Sequence, residues 1–340
     1  ADGYGHGAVP AARAALAGGA DVLAVALAEE GATLRRAGID ARIFVLSQAS
    51  PGELGDLVAH DLEATVYTPA GIEALLAVEG ATPSGHPLPV HLKVDTGMHR
   101  VGVAPDGAVA LAQRIHRAPE LELRSVFTHF AVADEPGNPY TAEQLARLRA
   151  VVAAIEAAGI GVPCVHAANT AAALDHPDAR LDLVRCGIGI YGLDPAPALA
   201  GRLPLTPAMS MVAEVSHVKR VAAGEALSYG LRYRLEREST IATVPVGYAD
   251  GVPRGLSAAG ATVLVGGRRR PIAGTITMDQ LLVDCGDDAV AVGDPVVLLG
   301  RQGDEEIGAA EWAEALGTIA YEIVCGVSPR IPRRYREVPE

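Results

Sequence analysis

Four short stretches of this 340-residue chain set cations, imidazoles, carboxylates and hydroxyls close together. Lys93, Asp95 and Arg100 form one. His129 and Asp134 form the next, His166, Asn169 and Thr170 the third, and Arg185 stands in the fourth. Each falls at or just after an apolar run. Such groups bind anions through charge-assisted hydrogen bonds and move protons. Any one of them also serves as a strand-end cap or a salt-bridge partner. Recurrence at four strand ends points instead to a single mouth lined with polar groups.

The elements that must position these groups are legible as an alternation. Apolar runs lie at 22–28, 43–47, 62–67, 90–94, 124–130, 164–168 and 184–191. They are rich in Val, Ile and Leu and mostly lack polar alternation, as strands buried on both faces should. Segments of helical character separate them. The clearest spans 142–158, with Thr141 as its N-cap, Gln144 three residues on and Gly159 at its end. Others open at Pro51, Pro69 and Pro105, positions that suit a first helical turn. Repeated strand–helix alternation predicts a parallel sheet. A closed barrel needs eight strands, and the helical stretch at 8–17 lacks a strand before it. The expected fold class is therefore α/β, a (β/α)8 barrel lacking its first strand in this chain, with that strand ending just upstream of Ala1. An open doubly wound sheet is the alternative.

After Gly192 the character changes. Pro195, Pro197, Pro204 and Pro207 mark a linker, and the pattern turns to antiparallel strands at 209–221, 240–246, 261–265, 274–284 and 295–299. Gly266-Gly267 reads as a turn. A short helix is expected at 309–316, and 319–325 is ambiguous between strand and helix. The expected organisation is an α/β barrel over 1–200 and a mainly β domain over 201–340, with the boundary near Gly201.

Composition excludes several classes. Nearly half the residues are apolar, enough for a sizeable core. The net charge of -13 argues against a nucleic-acid partner. No apolar stretch is long enough for a membrane span. Cys164, Cys186, Cys285 and Cys325 show no C-x-x-C pairing, so no metal is expected and a reducing, cytoplasmic setting fits.

Ordered motifs then carry a resemblance. Ala1-Asp2-Gly3-Tyr4-Gly5-His6-Gly7 resembles the end of the pyridoxal-phosphate (PLP) attachment signature of alanine racemases. In that family the lysine bonded to the cofactor directly precedes this stretch. Leu92-Lys93-Val94-Asp95-Thr96-Gly97-Met98-His99-Arg100, Thr128-His129-Phe130 with Ala133-Asp134-Glu135, and His166-Ala167-Ala168-Asn169-Thr170 also resemble family motifs. So do Val184-Arg185-Cys186-Gly187-Ile188, Ser228-Tyr229-Gly230, Gly247-Tyr248-Ala249-Asp250-Gly251, Met278-Asp279-Gln280 and Tyr321-Glu322. Each is weak alone. Together they follow the family's order over nearly the whole chain.

The resemblance implies a role for each residue. Arg185 faces the pyridine nitrogen and, as a group that only donates, keeps it unprotonated, which favours racemisation over side reactions. Tyr4, Thr170, Gly187, Ile188 and Tyr321 hold the phosphate, with Asn169 and His129 also at the cofactor. Racemisation needs a base on each face of Cα. The lysine expected before Ala1 serves one and Tyr229 the other. A phenol ionises near pH 10, so Tyr229 needs cationic help, for which His129 and Arg185 are the candidates. Arg100 and the Met278 N–H clamp the substrate carboxylate. Lys93 matches a lysine that is carbamylated in relatives, and it equally suits an unmodified lysine paired with a carboxylate. Asp134, Arg254, Tyr248 and Tyr321 line the substrate entry. Thr277 and His99 depart from commoner family residues beside the carboxylate clamp, which leaves substrate breadth open.

The implied activity is interconversion of L- and D-alanine, supplying D-alanine for peptidoglycan, in a head-to-tail homodimer where Tyr229 reaches the partner's barrel. The alternatives are a broader amino-acid racemase, a PLP decarboxylase of similar architecture, or a non-catalytic PLP-binding relative. Arg185 argues against the decarboxylase, and the second domain argues against the non-catalytic relative. Lys93 and Lys219 are the two lysines present, and neither suits cofactor attachment.

Overall fold

The computed structural model describes residues 1–78 and 86–336. The chain packs as two units. One comprises residues 8–190 and 194–204, and the other comprises 1–7, 191–193 and 205–340.

Unit one alternates helix and strand: α1 Ala8–Ala17, β1 Val22–Val25, α2 Ala28–Arg36, β2 Arg42–Val45, α3 Leu54–Ala59, β3 Ala64–Val66, α4 Pro69–Leu76, β4 Leu88–Lys93, α5 Ala108–Arg117, β5 Leu121–Phe127, α6 Tyr140–Ala157, β6 Val165–Asn169, α7 Thr170–Asp175 and β7 Leu183–Arg185. The strands are parallel and pair in chain order. β2 and β3 join through a parallel bridge between Phe44 and Glu63. The seven expected strands are thus present as neighbours. Among the described residues β1 pairs only with β2, and β7 only with β6.

Because side chains alternate across a strand, β4 sends Val90 and Leu92 to one face and His91 and Lys93 to the other. All four are buried. Register places His91 opposite Ser125, Lys93 opposite Phe127, and Phe127 opposite His166. One face of this sheet is therefore aliphatic, packed under α2 to α6, while the other carries aromatic and polar groups.

Two expectations about unit one need correction. Thr141 does not cap α6: the helix starts at Tyr140 after Pro139, and the buried Thr141 hydroxyl has no partner among the described residues. The residue read as completing the cap, Gln144, accepts from Ala131 N–H and donates to the His129 carbonyl, tying the loop after β5 to the helix. The run at 184–191 is strand only over Leu183–Arg185 and then turns into a 3₁₀ segment, Ile188–Tyr191.

Unit two is built of antiparallel sheets: β8 Met211–Glu214, β9 His217–Val221, β10 Ala226–Leu227, β11 Tyr233–Arg234, β12 Ser239–Val244, β13 Thr262–Val265, β14 Arg268–Pro271, β15 Leu281–Gly286, β16 Pro295–Gln302 and β17 Glu305–Ile307, followed by helices α8 Ala309–Leu316 and α9 Ala320–Cys325. The single strand expected at 209–221 is two. At the break, Val215 N–H donates to Asp294 and Ser216 N–H to Thr243, so the chain leaves the sheet of β16 for that of β12. The strand expected at 274–284 begins only at Leu281, because residues 274–280 form a hydrogen-bonded loop. Gly266 and Gly267, with φ of 62° and 72°, make the expected turn, which joins β13 to β14, a strand the apolar pattern does not mark.

Candidate active site

The C-terminal ends of β4 to β7 collect the cations. Lys93 closes β4. It is buried, and its ammonium donates to the Leu46 carbonyl at 3.0 Å. Burial first, and then the charges of Arg100 and Arg185, lower its pKa to about 8. Arg185 ends β7. Its Nη1 donates to His166 Nδ1 at 2.6 Å, and its Nη2 to the carbonyls of Thr128 at 2.8 Å and Ala167 at 2.9 Å, with His129 Nδ1 at 3.3 Å. Burial lowers its pKa to about 10, so it stays cationic at neutral pH. Lys93 and Arg185 both lie over the Phe127 ring, 5.3 and 5.4 Å from its centroid. No carboxylate contacts Lys93, Arg100 or Arg185 among the described residues. A recess bounded by Lys93, Asp95, Arg100, Thr128 and His129 lies beside them, with the Asp95 carboxylate engaged by the Gly97 and His99 N–H groups. Three cations facing one carboxylate that pairs with none of them are a site for an anion.

His129 does not join them as a cation. Burial and the three neighbouring positive charges push its pKa down to about 3. It stands beside Arg185 as a neutral ring.

Beyond β6, Asn169 caps α7, its side-chain oxygen accepting from Ala172 N–H at 2.9 Å. Thr170 accepts from Gly187 N–H at 3.0 Å, which leaves the hydroxyl proton free to donate. Asp134 lies exposed in the loop after β5.

The remaining expected residues fall in unit two. Residues 2–5 wind as a left-handed turn: Asp2, Gly3, Tyr4 and Gly5 have φ of 45°, 59°, 55° and 77°, and Gly5 N–H donates to Ala1. Gly5 is required there, because a side chain would meet the Val324 carbonyl. The Tyr4 ring sits 5.1 Å from Tyr191 and 6.0 Å from Tyr321. Burial, with a smaller contribution from Cys325, raises its pKa, which keeps the phenol a donor.

Tyr229 is 73% exposed on a loop held under strain. Ser228 adopts φ 60°, ψ -173°, and Leu231 has φ 49°. The loop is pinned from behind, where Ser228 Oγ donates to the Thr275 carbonyl and Thr275 Oγ1 donates to the Tyr229 carbonyl. Gly274 packs against Leu227 and Ser228. Nearby, Tyr248 and Ala249 N–H groups donate to Thr277 and Met278 carbonyls, fixing Met278, whose own N–H has no acceptor among the described residues. Arg254 is exposed at the start of the 3₁₀ segment Arg254–Ser257.

Sequence reasoning marked His166 but missed the polar groups behind it, Ser125, His91, Glu63 and Arg42. His166 Nε2 lies 2.9 Å from Ser125 Oγ, which lies 2.6 Å from His91 Nδ1. His91 Nε2 in turn lies 2.8 Å from Glu63, which Arg42 binds with two nitrogens at 2.6 and 2.9 Å. The one available signal was the alternation of His91 and Lys93 with Val90 and Leu92.

Comparison with known proteins sets this geometry in a family. The model described as alanine racemase, N-terminal domain matches residues 1–195, and that of the C-terminal domain matches 208–335. The alanine racemase of Symbiobacterium thermophilum is 50% identical over 336 residues, covering 98% of this chain and 88% of that protein. The crystal structure of alanine racemase from E. faecalis superposes with a TM-score of 0.91 at 41% identity, over 98% of this chain and 89% of that one. That of the Bacillus anthracis enzyme with bound L-Ala-P gives 0.89 at 40% identity, over 96% and 84%.

Proposed function

The chain belongs to the alanine racemase family, and from that premise we propose that it interconverts L- and D-alanine with PLP as its cofactor, working in the cytoplasm to supply D-alanine for peptidoglycan. The observation that carries this is the group of cations at the ends of β4 and β7, without carboxylate partners, around a neutral His129. That donor set fits a phosphorylated pyridine. When bound, PLP acidifies the Cα proton of an attached amino acid.

In this reading Arg185 fixes the ring nitrogen. A group that only donates, and stays protonated at neutral pH, leaves that nitrogen no proton to take. Thr170 and the Ile188 N–H, together with Tyr4 and Tyr321, would donate to the phosphate, and Gly187, whose N–H is held by Thr170, allows close approach of the backbone. The Gly187–Thr170 contact leaves that hydroxyl one outward proton. Asn169 contributes by starting α7 next to Thr170. Arg100 and the unpartnered Met278 N–H bind the substrate carboxylate. Lys93 has a depressed pKa, so part of it is the neutral amine near pH 8. The neutral form adds CO2 and releases a proton, and the resulting carbamate would offset the surrounding positive charge.

Tyr229 takes or gives the Cα proton on one face, and a lysine outside residues 1–340 serves the other. Its exposure, on a pinned loop with Leu231 and Met278 also exposed, supports presentation to a partner subunit in a head-to-tail homodimer. His129, being neutral, orders the neighbourhood of Arg185 instead of supplying charge to Tyr229. Asp134, Arg254, Tyr248 and Tyr321 line the substrate entry and restrict it to small amino acids.

The test is circular dichroism of L-alanine, and separately D-alanine, L-serine and L-lysine, with the full-length protein and PLP. Both alanine signals should decay to zero ellipticity, and serine and lysine should change far more slowly. A stable alanine signal would overturn the assignment, and equal rates on all substrates would favour a broad racemase.

A further inference from the structure

One row of side chains crosses five neighbouring strands behind the candidate site. Each contributes one member: Glu63 just before β3, His91 on β4, Ser125 on β5, His166 on β6 and Arg185 on β7. Arg42 of β2 closes the far end on Glu63. Glu63, His91, Ser125 and His166 are all buried. A row of ionisable groups in a parallel sheet is not explained by stability, since apolar residues of similar volume usually serve a core as well or better.

We propose that Glu63, held by Arg42, is a positioning residue for Arg185 and acts through His91, Ser125 and His166. This rests on the reading of Arg185 as the group at the cofactor ring.

The argument is the polarity of the row. Its two ends are fixed by chemistry: Arg185 only donates, and an ionised Glu63 only accepts. Between them stand two imidazoles and a hydroxyl. Burial lowers the pKa of both rings, so each is neutral with one N–H. Arg185 donates to His166 Nδ1, so the His166 proton sits on Nε2 and goes to Ser125. Ser125 then donates its own proton to His91 Nδ1, and His91 Nε2–H donates to Glu63. With neutral rings, one arrangement satisfies every group, and all four bonds run from Arg185 to Glu63. The reverse polarity sets two donors against each other at Arg185. A doubly protonated His91 would give Ser125 a second donor and bury another cation beside Arg42 and Arg124, which already disfavour it. The stacked Phe127 ring, 4.7 Å from His166 and 9° from parallel, holds that imidazole in plane.

The consequence falls on Arg185. A neutral His166 with a bare Nδ1 draws Nη1, while Nη2 is taken by the Thr128 and Ala167 carbonyls. The guanidinium plane is thereby fixed, and its Nε–H has no protein acceptor among the described residues. Glu63 sets this orientation from four hydrogen bonds away.

The experiment is nitrogen NMR of ring-labelled histidine in the full-length protein, with and without PLP, for the parent, Glu63→Gln and Ser125→Ala. The parent should show His166 as the neutral Nε2–H form. A side-chain amide offers both a donor and an acceptor, so Glu63→Gln should move His166 toward a mixture of tautomers. Ser125→Ala should shift the His166 signals in the same way by cutting the row. Both should lower kcat at least ~10-fold, with KM changed less than about 2-fold, as misorientation at the reacting centre does. Unchanged His166 signals and unchanged kcat in folded Glu63→Gln would overturn the proposal, whether or not Ser125→Ala folds. If the parent fails to racemise alanine, the functional reading falls, while the tautomer comparison still decides whether Glu63 governs His166.

Discussion

Arg185 and Tyr229 carry the two polar tasks of the proposed reaction, and their surroundings are opposite. Arg185 sits in a parallel sheet, bonded to two carbonyls and an imidazole that is itself the start of a buried row. Its position is over-determined by partners from neighbouring strands. Tyr229 stands outward on a loop of strained backbone, with its support entirely from behind. The contrast separates two kinds of precision. One site fixes a charge that must not move or change. The other presents an outward phenol, the proposed proton-transfer group, from a loop braced on one side.

The largest expected effect comes from breaking the aimed side of that contrast. Tyr229→Phe should lower alanine racemisation by about 10²–10⁴-fold, the range for losing a positioned base. Because the residue is 73% exposed, the melting temperature should hardly move. Racemisation at the parent rate would remove Tyr229 from the mechanism.

Next comes the loop that does the aiming. At Gly274, φ is 88° and a side chain would sit 2.8 Å from the Leu227 carbonyl and 2.9 Å from Ser228 Cβ. Gly274→Ala should cost about 1–3 kcal/mol of stability and reduce turnover along with it, measured by thermal unfolding and initial rates together. Loss of stability with full activity would show that the loop tolerates re-aiming.

The smallest effect tests the fixed side. His129 is neutral in the folded protein, with its pKa lowered from an ordinary 6.5 to about 3. The unfolded chain therefore binds more protons between those values, and stability rises with pH across that window. Lowering the pH from 7 to 5 should remove about 1–2 kcal/mol through this one group. Burial works to raise the pKa of Glu63, but its bonds to His91 and Arg42 win and hold it at about 2, so a further loss follows as the pH falls through 4.5. His129→Gln should shrink the difference in melting temperature between pH 7 and pH 5. An unaltered difference would mean that other groups carry the acid sensitivity.

Much of the sheet could be read from sequence because its apolar runs are continuous, and parallel strands bury both faces. The ends of those runs also marked Lys93, His129, His166 and Arg185. What escaped was the inner row. Alternation in β4 separates His91 from Val90, but it does not say which face turns inward, and Ser125 and Glu63 gain their meaning from register with strands far away in the chain. The same holds where 209–221 breaks. Nothing local announces that Val215 and Ser216 bond to Asp294 and Thr243 in different sheets. Thr141 failed as a cap because local pattern cannot foresee Gln144 being drawn to the loop after β5.

The left-handed turn at residues 2–5 has a consequence for how the chain is made. Arg333 donates to the Gly5 carbonyl and Tyr335 to that of His6, contacts separated by 328 and 329 positions. Unit one pairs its strands in chain order, so it can assemble during translation, each strand finding a neighbour already present. The segment bearing Tyr4 has no such option. It must stay undocked on the ribosome until Arg333 and Tyr335 have emerged, so the cost of closing so long a loop is met late. A product ending before Tyr321 therefore lacks both that ring beside Tyr4 and the Arg333 contact to Gly5.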